Sequence, residues 1–596
     1  MPSYNAPLRD MKFIVHEMLN AEQLTQYTRF EDAEPDLYDA IFEESAKFAS
    51  EVLAPLNVVG DQEGCVRHAD GSVTTPTGFK EAFKTMVDNG WLSLSNDPEY
   101  GGQGLPGILG APVAEMQSSA NMSFGMYPGL TNGAIKAIEI GGTPEQKQTF
   151  LPKMVTGEWT GTMNLTEPHC GTDLGLLKTK AVPQADGSYK ITGQKIFISA
   201  GEHDMSDNII HLCLARIEGG PAGVKGISLF IVPKFKLGAD GNPADRNPVT
   251  CGSIEEKMGL HGNSTCVMNF DCAEGYLIGE AHKGLRVMFV MMNEARMGVG
   301  MQGLAQSEVA YQNAAAYAKD RLQGRALTGP QNENGPADPI IVHPDVRRML
   351  METRAFNEAS RALIYWATLH EDLEKVHPDE AFREKCDDYL GLLTPVIKGY
   401  LTDIAMRTTV DCQQIFGGHG FIEEWGMSQF VRDTRITLLY EGANGIQALD
   451  LVGRKLARKG GRALMTLSAE MQEFIKANEG NENLTEFTEG LSGAQKKLQE
   501  ATMWLMQNGM TNPNNAGAAS VDYMHMMGLT VLAYMWGKMA VVAQAAIDDG
   551  STEEFYQHKL ITGRFFMARM LPQIDAHLAK LKTGADPVMA LPASAF

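Results

Sequence analysis

Ile227-Ser228-Leu229-Phe230-Ile231-Val232 is an unbroken apolar, β-prone run. It has the length of a buried strand and is too short for a buried helix. Ile209-Ile210-His211-Leu212-Cys213-Leu214 before it and Cys266-Val267-Met268-Asn269-Phe270 after it have the same texture. Ala185-Asp186-Gly187-Ser188 is a turn leading into Tyr189-Lys190-Ile191-Thr192, which predicts a hairpin. Together these runs mark a β domain over residues 159–283.

Both flanks show helical spacing. Residues 1–158 predict an N-terminal helical domain, with helices over 37–53 and 78–89 and a Gly- and Pro-rich loop over 96–107. Thr143 followed by Pro144 predicts a capped helix start. Residues 284–460 predict a helical bundle interrupted by a loop over 322–344, and residues 461–596 a further C-terminal helical domain. Within the last, 478–490 is expected as an acidic linker and 508–517 as a loop. No internal repeat is visible. The fold class is therefore mainly α with a central β domain.

Composition narrows the function. The chain has 596 residues, 51 Lys and Arg against 73 Asp and Glu, and a net charge of −22. That balance argues against nucleic acid and anionic membrane surfaces as partners. Eight Cys without a CxxC pair suggest neither a disulfide scaffold nor a zinc site, so no metal is expected. The 34 Met suit adaptable apolar pockets. The first ten residues lack a basic region followed by an apolar run, which predicts a cytoplasmic protein. The apolar stretch 523–537 contains His525, is short for a membrane span, and is expected as a core helix.

Two segments, Gly298-Val299-Gly300-Met301-Gln302-Gly303 and Gly102-Gln103-Gly104-Leu105-Pro106-Gly107, match GxGxxG by letter. The dinucleotide motif works only between a strand and a helix. The first lies inside a helical pattern, where small residues let helices approach closely; the second contains Pro106 and has no strand before it. His370 and His377, seven residues apart on a charged helix, are expected to be solvated.

Several separated segments resemble the acyl-CoA dehydrogenase family. Thr166-Glu167-Pro168-His169-Cys170-Gly171-Thr172-Asp173 is similar to its flavin loop, with Thr172 where Ser is common. Gly193-Gln194-Lys195-Ile196-Phe197-Ile198-Ser199-Ala200-Gly201 resembles GxKxWITNG, with Phe197 for Trp and Ser199 for Thr. Arg321-Leu322-Gln323-Gly324-Arg325 is a shortened RxQFG. Gln414-Ile415-Phe416-Gly417-Gly418-His419-Gly420 follows, then Arg432-Asp433-Thr434-Arg435 and Tyr440-Glu441-Gly442-Ala443-Asn444. Their order and spacing are those of the family, over roughly residues 90–455.

The resemblance implies FAD-dependent α,β-dehydrogenation of an acyl-CoA. Glu441 is then the base that removes the α-proton, and its own N–H an oxyanion donor. Some members place the base directly before an arginine on a helix; here Ala295 precedes Arg296, and Glu294 is one residue out of phase. Arg296 is expected to tune Glu441, with Tyr440 and Gly442 flanking the substrate. Thr166, Thr172, Phe197 and Ser199 are implied as flavin contacts, Thr172 also reaching the CoA. Arg321, Gln414, Gly417 and Gly418 resemble groups that hold FAD across a subunit interface, which implies a homodimer; Ala443 and Asn444 lie at a flavin-binding turn. Electron-transfer flavoprotein is the implied electron acceptor.

The segment 461–596 is shared with the larger relatives. Together with Tyr4–Phe13 and the Arg321–Arg325 sequence, it resembles the bacterial 3-methylmercaptopropionyl-CoA dehydrogenase group, which implies dimethylsulfoniopropionate degradation. An acyl-CoA oxidase and a fatty acyl-CoA dehydrogenase of longer chains are the alternatives. A DNA-binding flavoprotein relative is disfavoured, because 461–596 holds ten Lys and Arg against fourteen Asp and Glu. Phe124, Met126 and Tyr127 lie where family members line the far end of the acyl pocket, and are expected either to plug it or simply to pack.

Overall fold

The computed structural model describes residues 2–596 and divides into two compact units. One comprises Lys47–Pro106 and Met116–Gly298; the other the N-terminal segment to Ala46, Gly107–Glu115 and Val299–Phe596.

In the first unit, helices Ala54–Glu63, Phe79–Asp88, Met122–Gly141 and Pro144–Val155 precede the sheet. The expected cap is a full capping box: the Gln146 N–H donates to Thr143 Oγ1 at 3.2 Å, and the Gln146 side chain accepts from the Thr143 N–H at 3.0 Å. A short hairpin, β1 (Val66–Arg67) and β2 (Val73–Thr74), interrupts the helices; its two-residue strands left no periodic signal. The main strands are β3 (Trp159–Asn164), β4 (Lys180–Pro183), β5 (Tyr189–Ser199), β6 (Asn208–Ile217) and β7 (Ile227–Pro233). After the side hairpin β8 (Phe235–Leu237) and β9 (Pro243–Arg246) come β10 (Val249–Ile254) and β11 (Thr265–Ile278). The order is β10-β11-β5-β4-β6-β3, and β7 pairs with both β11 and β6. Strands β11, β5, β4, β6 and β7 therefore close a ring. Pairing is antiparallel except for β6, which runs parallel to β3 and β4.

The unbroken apolar runs have a simple cause. Successive strand residues face opposite sides, and here both sides are buried. Ile210, Leu212, Leu229 and Ile231 join Phe150 and Trp159 in one core, while Cys213, Phe230 and Val232 join Ile191 and Phe270 in another.

The second unit is helical: Gly284–Asp320 from Val299 on, Pro344–Val376, Glu380–Ile415, Asn444–Asp450, Thr485–Gly509, Pro513–Asp548 and Glu554–Phe565 are its main members. A Cβ on Gly300 would lie 2.5 Å from the Ile397 side chain and 2.8 Å from its carbonyl. This GxGxxG is thus a helix-packing face. A Cβ on Gly102 would meet the Asn96 carbonyl at 2.0 Å, so the other match is a tight turn.

The expected acidic linker ends early, because helix Thr485–Gly509 starts inside it with Glu486 favourably placed in its first turn. The expected loop over 508–517 shrinks to residues 510–512. Asn512 accepts from the Asn514 N–H and Pro513 occupies the first turn, so residues that read as breakers are a helix start. His370 is not solvated: its Nδ1 is 2.8 Å from the Trp366 carbonyl, and burial holds its pKa down to about 4. His377 stacks on Phe382. Pro513–Asp548 is long and apolar enough to cross a membrane by composition, yet 83% of its apolar window is buried within the protein, as a core helix is.

A buried ionic cluster joins distant parts of this unit. The Arg361 guanidinium donates to Glu115 and Glu308 and pairs with Asp10; Lys559 pairs with Asp10 and, at 2.6 Å, with Glu358. Although burial pushes Asp10 up, Lys559 and Arg361 hold it below the ordinary carboxylate range.

Candidate active site

On the first unit the two flavin-type motifs are locked together. Glu167 is buried, and its Oε1 accepts from Lys195 Nζ at 2.9 Å and from the Thr179 hydroxyl at 2.6 Å. Its Oε2 accepts from the Lys178 N–H at 2.7 Å. Burial alone would raise Glu167, but the Lys195 ammonium and these donors hold it below the usual range. Lys195 also donates to the Leu165 carbonyl at 3.0 Å, and the Ile196 N–H to the Thr166 carbonyl at 3.0 Å. Thr166 is thereby fixed beside the end of β5, which carries Phe197 and Ser199. Reciprocal bonds between the Glu167 and Cys170 backbones close the loop and leave Thr172 exposed.

Phe197 has φ +60° and is 60% exposed, an unusual state for a large aromatic residue. Such a residue offers a ring face to a planar ligand, and Thr166 and Ser199 beside it supply hydrogen-bonding groups. The set fits a flavin. Arg296 lies buried on the helix Gly284–Asp320, its guanidinium 3.4 Å from Asn293 Oδ1. Glu294 is partly exposed.

On the second unit, Glu441 occupies the left-handed region at φ +55° and Gly442 follows at +87°. A non-glycine residue there is strained and persists only where its surroundings fix it. Gln447, one turn into helix Asn444–Asp450, does so: its Nε2 donates to both the Glu441 and Gly442 carbonyls at 3.1 Å. Asn444 is buried, and its amide donates to the Gly399 carbonyl, the Thr402 hydroxyl and Asp403 at 3.0, 2.9 and 2.7 Å. Its Oδ1 accepts from Lys398 Nζ at 2.7 Å. The Asn444 side chain is thus committed to anchoring the turn. Tyr440 hydrogen-bonds Gln302, and burial together with the Glu441 charge pushes its phenol well up. Ala443 stands at the N-cap position of that helix.

Arg321, Gln414, Gly417 and Gly418 are exposed on this unit. Tyr317 stacks on Phe416 at 4.1 Å and hydrogen-bonds His419 at 2.8 Å, which seats the Arg321 end of one helix against the Gly417–Gly418 loop. Nothing lies within 4 Å of where a Cβ on either glycine would be. Along Glu380–Ile415, Gln414 is fifteen residues beyond Gly399, roughly 20 Å from the Glu441 turn. Lys195, Gln302, Gln447, Lys398 and Asp403 were not singled out by the sequence; Lys195 and Gln447 carried a signal, each as a member of a recognised motif.

Four family profiles match in succession. They are Acyl-CoA dehydrogenase, N-terminal domain over 38–158, middle domain over 162–273 and C-terminal domain over 282–456, then Acetyl-CoA dehydrogenase C-terminal like over 467–592. The 3-methylmercaptopropionyl-CoA dehydrogenase of Ruegeria pomeroyi is 42% identical, covering 98% of this chain and 99% of its own. A butyryl-CoA dehydrogenase of Syntrophomonas wolfei is 35% identical over 100% of this chain and 99% of its own. An acyl-CoA dehydrogenase from Bacillus anthracis, solved with FAD, shares the fold with a TM-score of 0.75 at 23% identity, covering 94% of this chain and 90% of that one.

Proposed function

The chain belongs to the acyl-CoA dehydrogenase family, and from that premise we propose that Glu441 is the base that takes the α-proton of a short acyl-CoA. As a family member it is an FAD-dependent oxidoreductase, and bound FAD supplies the acceptor for the hydride leaving the β-carbon. The carrying observation is the strained Glu441–Gly442 turn, with both carbonyls tied back by Gln447. A turn so held keeps its carboxylate and its N–H in fixed places. The carboxylate removes the α-proton, and the Glu441 N–H stabilises the thioester oxygen as charge develops there. Gly442 and Tyr440 would flank the thioester, and Arg296 would tune the charge of Glu441, as its place in the family sequence implies.

Thr166, Phe197 and Ser199 would hold the flavin ring, with Thr172 at the pyrophosphate or CoA; the Glu167–Lys195 pair supports this by locking their two segments together. Arg321, Gln414, Gly417 and Gly418 would meet the FAD of a second copy, with Ala443 and Asn444 shaping the turn. Their exposure and the open space beside both glycines support a homodimer. Arg321→Ala should lose FAD and the dimer together; a variant that stays yellow and dimeric on a sizing column would reject this. The division into helical (1–158), β (159–283), catalytic helical (284–460) and C-terminal (461–596) domains is supported by the succession of family profiles. Electron-transfer flavoprotein is the proposed acceptor and the cytoplasm the proposed location.

Phe124, Met126 and Tyr127, the residues expected to plug the acyl pocket or simply to pack, are all buried. Phe124 is buried edge-on against Phe79 at 5.7 Å, and Tyr127 donates to the Gly262 carbonyl and accepts from the Ser264 N–H, both at 3.2 Å. Rings held this way would pack a core as readily as they would close a pocket, so the short-chain choice, including the thioether of 3-methylmercaptopropionyl-CoA, rests on similarity to relatives. Two relatives named for short substrates support the same choice. The test is anaerobic flavin bleaching with butanoyl-, 3-methylthiopropanoyl-, octanoyl- and palmitoyl-CoA. The wild type should prefer the first two in kcat/KM; a preference for palmitoyl-CoA overturns the short-chain assignment. Glu441→Gln should keep FAD and bind substrate but bleach about 10²–10⁴-fold more slowly. Near-normal bleaching would place the base elsewhere.

A further inference from the structure

We propose that His525, in the C-terminal helical domain, is a positioning residue for the catalytic turn, acting through Asp403 and Asn444. The proposal rests on the assignment of Glu441 as the base. His525 lies on Pro513–Asp548, in the part of the chain that the family's smaller members lack. Its Nε2 donates to Asp403 Oδ2 at 2.9 Å. The other oxygen of Asp403 accepts from the Asn444 amide at 2.7 Å. Asn444 opens the short helix directly after Glu441-Gly442-Ala443, and that helix carries Gln447, which holds the carbonyls of Glu441 and Gly442. An unbroken path of hydrogen bonds and one helical turn thus runs from His525 to the backbone of the base.

Packing at the same place is tight. A Cβ on Gly399 would lie 2.5 Å from Met524 Sδ on one side and 3.4 Å from Gln447 Cβ on the other. A Cβ on Gly528 would meet the Tyr400 ring at 2.2 Å. Helix Glu380–Ile415 is therefore clamped between Pro513–Asp548 and the helix that ends the catalytic turn. The His525 ring is oriented by an edge contact with Tyr400, centroids 5.2 Å apart, and by His577 at 5.0 Å. His577 is itself held by Asp522, with Nδ1 2.7 Å from Oδ1. Asp403 consequently has one place to stand, and Asn444 with it. A displacement of about an ångström at a base is enough to cost large factors in rate.

A hydrogen bond that only stabilises helix packing would show differently from one that aims the base. The test compares His525→Ala, His525→Gln and the isosteric Asp403→Asn in the full-length FAD-loaded enzyme, by single-turnover flavin bleaching, substrate affinity and melting temperature. His525→Ala and Asp403→Asn should slow bleaching about tenfold, with substrate affinity within about twofold of wild type. His525→Gln, whose amide can donate to Asp403 from nearly the same position, should recover to within about threefold of wild type. Asp403→Asn keeps the shape of the site and so carries the test if His525→Ala does not fold. Wild-type bleaching in both variants overturns the proposal. So does an equal loss in His525→Ala and His525→Gln that follows only the fraction of folded protein. Failure of the Glu441 assignment is separate: Glu441→Gln would then bleach normally while His525→Ala remained slow and His525→Gln restored.

Discussion

Glu167 and Lys195 are 28 residues apart, and their buried pair holds the proposed flavin loop against the strand that carries Phe197. Removing the cation alone leaves a carboxylate in a dry site, which typically costs about 3–5 kcal/mol. Lys195→Met should therefore destabilise the fold and release FAD. The double variant Lys195→Met with Glu167→Gln should recover most of the stability, because the uncompensated charge is gone. Urea midpoints and the ratio of flavin to protein absorbance check this; additive losses in the double variant would show that the two side chains do not act as a pair. The same scale shows what a single sequence reveals. Glu441, Thr166 and Phe197 were visible because they stand within short local motifs. Gln302, 138 residues from Tyr440, and Asp403, 122 residues from His525, act only through contacts that folding creates; Gln302 sits in a glycine stretch that points to helix packing and not to Tyr440.

Elements follow from local chemistry where that chemistry is unambiguous. Thr143-Pro144 with Gln146 at the third helical position specifies a helix start, and the box forms as expected. The run Ile227–Val232 specifies a strand with two buried faces. Asn512-Pro513 carries both meanings, loop breaker and helix start, and only packing of the apolar stretch behind it chooses between them. Glycine is ambiguous in the same way, which permits a paired test on one helix. Gly300→Ala forces a methyl group to 2.5 Å from Ile397 and should destabilise by about 1–3 kcal/mol. Gly298→Ala, with nothing within 4 Å, should be neutral or stabilise by up to about 1 kcal/mol, since alanine is the better helix former. Chemical denaturation of both variants reads the difference; equal effects would mean that the helices can separate at Gly300 without cost.

At the scale of the molecule, the segment 461–596 is tied to the rest of its unit by charge as well as by apolar packing. Arg9 and Asp10 near the N-terminus reach Glu553 and Lys559, and Glu17 accepts from the Tyr556 hydroxyl at 2.8 Å. Arg361 joins Asp10 to Glu115 and Glu308, so that four stretches far apart in sequence share one buried network. Asp10, Glu115, Glu308 and Glu358 face Arg354, Arg361 and Lys559 there, one negative charge in excess. Lys559→Met preserves the length of the side chain, packs against the same rings of Phe13 and Trp536, and leaves that excess at two. The expected loss is about 3 kcal/mol, the lower end for breaking a buried pair, because Arg361 still faces Asp10 and Arg354 still faces Glu358. The N-terminal segment should loosen first, since Asp10 loses one of its two cations while the large helices keep their apolar contacts. Trypsin should then cut after Arg9 or Lys12 faster in Lys559→Met than in the wild type under native conditions, and the melting temperature should fall. Unchanged cleavage together with an unchanged melting temperature would mean that the network adds nothing to the docking of the N-terminal segment, and that apolar packing around Phe13 alone holds it.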